Sequence, residues 1–193
     1  IVADQIGHFG FNAGLLEYFS DARERFLKPG GTMVPCGIEL LAAPVESPAM
    51  WNQVEFWNNS PAGFDFSPAR SLAANTGYPC KFQAEALLGA PLRLIALDLA
   101  EVTASPFKME GCAAISRNGC LHGIAGWFSA HLSPKVNMTN SPLAPDSINR
   151  RNIFFPIDRP VDVVKGDYVR VVMHIVPRAV SYTHLTLPTT SRV

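Results

Sequence analysis

The side chains best suited to chemistry are few, and their spacing fits none of the common catalytic designs. His122 and His131 flank one strand candidate and His174 sits in another. None has the H-E-x-x-H spacing that puts two imidazoles on one helix face around a metal. Cys36, Cys80, Cys112 and Cys120 contain no C-x-x-C pair, so no zinc site is expected and the thiols read as buried and free, as in a cytosolic protein. A G-x-S-x-G nucleophile elbow is absent. Gly7, Gly10 and Gly14 have the wrong spacing for the G-x-G-x-x-G loop that lets a backbone approach a nucleotide, and no earlier strand feeds them. The remaining candidates are local and polar. Asp4 is a carboxylate suited to closing or capping a loop, and Asn12 precedes a helix that it is placed to cap. The pair Arg150-Arg151 either meets an acidic partner or belongs to a solvated loop.

The elements that must hold these residues are outlined by periodicity. The chain has 193 residues, formal charge zero and 48% hydrophobic residues, enough for one domain, or one and a half, with a core of its own. A neutral balance argues against a protein that holds nucleic acid by charge. No apolar run approaches the roughly 18 residues that span a bilayer, so no membrane partner is expected. Phe11, Leu15, Phe19, Ala22 and Phe26 line one face of a helix that Pro29-Gly30-Gly31 stops, and Thr32–Pro35 reads as a short strand after it. That helical face needs a sheet to cover it; with none supplied by this chain, the face is expected to lie exposed and to promote aggregation.

From residue 38 the pattern changes to strands. Ile38–Val45, Leu92–Val102 (buried on both faces), Cys112–Ser116, Cys120–Leu132, Asn152–Ile157 and Tyr168–Val176 are strand candidates. Arg117-Asn118-Gly119 is a hairpin-type turn, and Lys165-Gly166-Asp167 is the turn between the last two strands. Short spacing and many turns argue for an antiparallel sandwich or barrel. Residues 48–91 are less regular and rich in aromatics. The segment from Val180 to Thr190 resembles the in-frame translation of a transposon-end sequencing adapter. Residues 180–193 are therefore set aside as a non-native tail.

Several segments resemble the protein arginine N-methyltransferase family, among the class I S-adenosylmethionine-dependent methyltransferases. They are Val2-Ala3-Asp4-Gln5-Ile6-Gly7-His8-Phe9-Gly10-Phe11, then Asp21 through Gly31 with its Leu27-Lys28-Pro29-Gly30-Gly31 ending. Leu121-His122-Gly123-Ile124-Ala125-Gly126-Trp127-Phe128, Met138-Thr139-Asn140-Ser141-Pro142 and Lys165-Gly166-Asp167 follow in order. The resemblance implies a mainly β chain. Residues 1–36 would be the last helix and strand of a truncated Rossmann-like cofactor domain. Residues 37–179 would be a β-barrel substrate-binding domain. Residues of about 48–80 overlap the family's dimerisation arm, or else form a buried lid on the barrel. The implied cofactor is S-adenosylmethionine, its main site lying outside this chain, and the implied partners are a protein substrate and a second copy in a cytoplasmic homodimer.

The family binds its substrate guanidinium with two glutamates, nine residues apart on one loop. Two carboxylates align a planar cation by paired charge-assisted bonds and leave the reacting nitrogen nucleophilic. The matching positions are Asp4 and Ala13, so one carboxylate survives, a methylene shorter, and the other is lost. The resemblance makes Asp4 the catalytic candidate and Asn12 a neutral acceptor for substrate. Glu17, one helical turn beyond Ala13, either replaces the lost group or is a solvated helix charge. A second family motif, Thr-His-Trp, aligns with Ser147-Ile148-Asn149, which makes Ser147 and Asn149 substrate-binding candidates. The implied function is methyl transfer to a protein side-chain nitrogen. The alternative is a catalytically degenerate relative whose barrel binds proteins, favoured by the losses at Ala13 and at Ile148-Asn149.

Overall fold

A computed structural model describes residues 1–177 of the chain; the tail 180–193 lies outside the described residues. Among the described residues the chain is mainly β, with α-helices α1 (Leu15–Phe26), α2 (Pro48–Glu55) and α3 (Ser67–Ala74). The strands there are β1 (Gly37–Val45), β2 (Tyr78–Cys80), β3 (Leu92–Asp98), β4 (Phe107–Ala114), β5 (Gly119–Ser133), β6 (Val136–Thr139), β7 (Asn152–Val163) and β8 (Tyr168–Ile175). One antiparallel sheet has the order β2-β7-β5-β1-β3, with β6 paired to β5; β4 and β8 form a separate ladder.

β5 organises the large sheet. Its 15 residues pair with β1 over Gly123–His131, with β7 from Gly119 to Gly126, and with β6 beyond that. A strand enclosed on both edges and both faces should be apolar throughout, and residues 121–128 are all buried. One glycine in it admits a neighbour. A Cβ on Gly126 would stand 2.6 Å from the Phe9 ring. The missing side chain therefore lets Phe9, from the loop that carries Asp4, seat directly on β5. There it meets Phe155 of β7 edge-on at 5.1 Å.

Two cores flank this sheet. The first lies between it and the β4–β8 ladder, joining Leu40 and Phe128 to Met109, Val171 and Met173. α1 belongs to this core. Leu15, Leu16 and Phe19 are at most 1% exposed, and Phe11 is buried just before the helix. Burial of each such side chain contributes roughly 1.5–3 kcal/mol. The helical face is thus covered by the chain's own sheet, contrary to the expectation from sequence. The exception is Phe26, which turns outward under the Arg25 guanidinium at 4.5 Å, while Leu16 takes the inward place. Arg23 fastens the helix by donating to the Leu99 and Val102 carbonyls at 3.3 and 2.9 Å.

The second core covers the opposite face of the sheet. Trp127 and Phe154 are buried there against Val45 and Phe82, with Met50 and Trp51 of α2 packed on top. Trp51 Nε1 donates to the Ile157 carbonyl at 3.1 Å. The aromatic segment therefore begins packed against the second core. Its tip stands out: Phe56, Phe64, Phe66 and Leu72 are exposed, and Phe56, Trp57, Phe66 and Phe64 form a chain of edge-on rings. Arg70 of α3 ties this tip to β7 through Asp158.

Several expectations are corrected. Thr32–Pro35 makes a single parallel bridge, Val2 to Val34, in place of a strand. β3 is an edge strand in which Leu94 alone is buried, because no strand lies beyond it in the sheet. Arg117-Asn118-Gly119 does not close a hairpin: β4 pairs with β8, so this turn carries the chain from one sheet to the other. The turn at Lys165-Gly166-Asp167 makes the reverse crossing and docks on Ile115 by two backbone bonds of 2.8 and 2.9 Å. Among the described residues no continuous ladder joins the two sheets into a closed barrel. The four cysteines are free, but they are not uniformly buried: Cys80 is, Cys36 and Cys120 are half-buried and Cys112 is exposed.

Candidate functional site

The loop before α1 and the segment before β7, far apart in sequence, meet at one place. Asn140, at the end of β6, is 2% exposed and all its side-chain polar atoms are used. Its Oδ1 accepts from the Phe128 N–H at 3.0 Å, and its Nδ2 donates to the His8 and Arg151 carbonyls at 2.9 and 2.7 Å. Asn152, also buried, donates to the Asn140 carbonyl and accepts from the Phe82 N–H at 3.2 Å. Buried amides satisfied on every side fix a geometry, because each lost bond would leave a desolvated polar group.

On this frame Asp4 faces Arg150. Asp4 Oδ1 accepts from Arg150 Nη1 at 3.0 Å and Oδ2 from Nη2 at 2.6 Å, the forked pairing of a guanidinium with a carboxylate. Arg150 Nη1 also reaches the Gly7 carbonyl at 3.5 Å, and its guanidinium carbon lies 5.8 Å from the Phe128 ring centre. The hydrogen bonds from Arg150 hold the Asp4 carboxyl below the usual carboxylate range, against a smaller opposing push from burial. The same bonds raise the already basic Arg150. Of the two readings of Arg150, the acidic partner is the one realised, and that partner is in the same chain.

Asn12 closes the Asp4 loop. Its Oδ1 accepts from the His8 and Phe9 N–H groups at 2.9 and 3.0 Å. It does not cap α1, whose N-cap is Gly14 with no side-chain bond. The tight turn it closes requires glycine at Gly7, where φ is +69° and a Cβ would overlap the Asn12 amide. Gly7 and its neighbours thus face protein atoms, and they offer no glycine cradle for a nucleotide-like cofactor. Asn149 is exposed and accepts from Lys81 Nζ. Ser147 is exposed in the same loop, its N–H donating to the Ala144 carbonyl at 3.2 Å. Ile148 packs against the first core, with its N–H on the Thr139 carbonyl at 2.9 Å. Ala13 offers no charge. Glu17, in the first turn of α1, makes no ion pair or hydrogen bond among the described residues.

The structure therefore joins Asp4 to the 147–150 segment through Arg150 and leaves Ser147 and Asn149 exposed in that segment, with no hydrogen bond to Asp4. Sequence reasoning missed Asn140 and Asn152 as the residues that bring the loops together. The available signal was weak: Asn152 opens the apolar strand β7 and must find partners if buried, whereas Asn140 lies in Thr139-Asn140-Ser141, which has the composition of a turn. Among the described residues no group of three or more His, Cys, Asp or Glu side chains is placed to hold a metal. No helix there is long and apolar enough to cross a membrane.

A two-sheet body with a helix tucked under it, and a carboxylate presented beside a strand-end loop, defines a class already met in the sequence. The family model for the arginine methyltransferase oligomerization subdomain matches residues 38–188, and the chain belongs to that family. It is 25% identical to protein arginine N-methyltransferase 6 of Xenopus laevis over 96% of this chain and 58% of that protein. It is 28% identical to an arginine N(omega)-methyltransferase of Streptomyces achromogenes subsp. streptozoticus over 80% of this chain and 42% of that one. The fold is similar to that in the Trypanosoma brucei PRMT1 enzyme-prozyme heterotetrameric complex with AdoHcy, at TM-score 0.80 and 18% identity, over 93% of this chain and 58% of that chain. It is also similar to Arabidopsis thaliana protein arginine methyltransferase 10, at TM-score 0.68 and 19% identity, over 90% and 59%. The chain spans about half the length of the curated relatives it matches.

Proposed function

We propose that this chain is the substrate-facing part of an S-adenosylmethionine-dependent methyltransferase that modifies a protein side-chain nitrogen, with arginine as the substrate class. The observation that supports the reading is the forked Asp4–Arg150 pairing, a carboxylate holding a guanidinium at the position that the family resemblance implies for a substrate ligand. S-adenosylmethionine, when bound, supplies an electrophilic methyl group. Asp4 would hold the guanidinium by two charge-assisted bonds and keep positive charge on the nitrogens that are not attacked. Asn12 would keep the Asp4 loop in its tight turn, and Ser147 and Asn149 would line the approach. Residues 1–36 would belong to the cofactor domain and 37–179 to the substrate domain, with the two sheets acting as its barrel. The ring-lined tip within residues 48–80 would be the dimerisation arm of a cytoplasmic homodimer. Its exposed Phe56, Phe64 and Phe66 support that, since such surface is costly unless covered.

The second reading, a catalytically degenerate interaction module, is favoured by Ala13, which removes one of two charges, and by the occupation of both Asp4 oxygens by Arg150 of the same chain. Methyl transfer to an arginine peptide by the complete reading frame separates the two. Turnover supports the enzyme; absence of turnover with retained peptide binding supports the module.

A further inference from the structure

The loops of the site are already fastened by Asn140, Asn152 and Asn12. The Asp4–Arg150 contact adds something different. Both Asp4 oxygens are taken by Arg150, at 3.0 and 2.6 Å. The Gly7 carbonyl lies at 3.5 Å from the same guanidinium, and the Phe128 ring stands 5.8 Å from its carbon. A carboxylate fork, a carbonyl and an aromatic ring are the contacts an arginine side chain from another molecule would need.

We infer that Arg150 is a built-in occupant of the guanidinium seat at Asp4, and that an arginine side chain of a partner protein binds by displacing it. The inference rests on reading Asp4 as a substrate ligand. With Arg150 in place the seat is electrically neutral. A second guanidinium entering beside the first would meet like charge, and Ala13 brings no second carboxylate to offset it. Displacement is feasible because the Asp4 side chain is 58% exposed and that of Arg150 24%. Pairs this open to water are weak. The seat is then vacant in a minor fraction of molecules, and the apparent affinity for an external arginine falls by that fraction.

The test is a titration of the 193-residue chain with acetyl-Gly-Arg-Gly-amide, followed by NMR through the backbone amides and the Arg150 Nε–H signal. Peptide should move the Arg150 signal to that of a free arginine. Arg150→Gln should tighten binding about 5-fold, the scale of an exposed ion pair, and Arg150→Lys, which keeps the charge but loses the fork, by less. Asp4→Asn should abolish binding with either residue at 150. Binding that needs Asp4 while the Arg150 signal stays put and Arg150→Gln changes nothing overturns displacement and leaves the Asp4 reading standing. Binding indifferent to Asp4→Asn, or none by any variant, overturns both.

Discussion

Asn140→Ala tests whether the two loops form one unit. The substitution strands three groups at once: the Phe128 N–H and the His8 and Arg151 carbonyls. Phe128 is fully buried, so its N–H has no access to water. An orphaned buried donor costs about 1–3 kcal/mol, and the two carbonyls, nearer the surface, about 1 kcal/mol together after water partly replaces the lost bonds. The sum is roughly 2–4 kcal/mol. For a chain of this size that lowers Tm by roughly 5–15 °C. Thermal unfolding followed by circular dichroism reads the global effect. Amide hydrogen exchange at His8 and Phe9 reads the local one, and it should accelerate because the Asn140 bond anchors that turn to β6. Asn140→Asp, which keeps the acceptor but sets a buried carboxylate against two carbonyl oxygens, should cost at least as much as alanine. A Tm within about 2 °C of wild type with unchanged exchange at His8 and Phe9 would refute the view that this amide joins the loops.

Acid should loosen the same site. Arg150 depresses the folded-state pKa of Asp4, so the pair's stabilisation is present above the ordinary carboxylate range and lost as pH falls through the lowered value. Because Asp4 is largely exposed, the loss amounts to about 1 kcal/mol or less; a side-chain carboxyl titration by NMR should give a normal Asp4 value in Arg150→Gln. Thiol modification should rank the cysteines by environment. Exposed Cys112 should react first, and Cys80, whose pKa burial pushes up to about 12, should resist at pH 8 until the chain unfolds. Mass mapping of the labelled positions checks the order. Trp127→Ala should cost about 3–5 kcal/mol by opening the second core, which a urea melt measures.

Much of this was legible in the sequence. Residues 120–132 contain a long apolar run free of Pro, and β5 is the longest strand. The family resemblance pointed to Asp4 and to the 147–149 loop, and the structure brings that loop's neighbour Arg150 onto Asp4. Pairing was less legible. Arg117-Asn118-Gly119 has a hairpin composition, but a local turn signal does not specify which strands lie on either side of it. The two sheets are set by long-range packing of residues such as Met109 and Met173. The cover over α1 was hidden for the same reason: a helix's apolar face shows that it is buried, not by what. Asn12 was misread because a cap and a turn closure use the same amide, and Asn140 was missed because Thr139-Asn140-Ser141 has the composition of any polar turn.

We propose the Asp4 loop as the arginine seat of a methyltransferase. Its most direct test is methyl transfer from labelled S-adenosylmethionine to an arginine-containing peptide by the complete reading frame, wild type against Asp4→Asn. Loss of a preorganised electrostatic contact of this kind lowers the rate by about 100-fold or more, and that is the result the account predicts. An Asp4→Asn protein that transfers methyl groups as fast as wild type would contradict it.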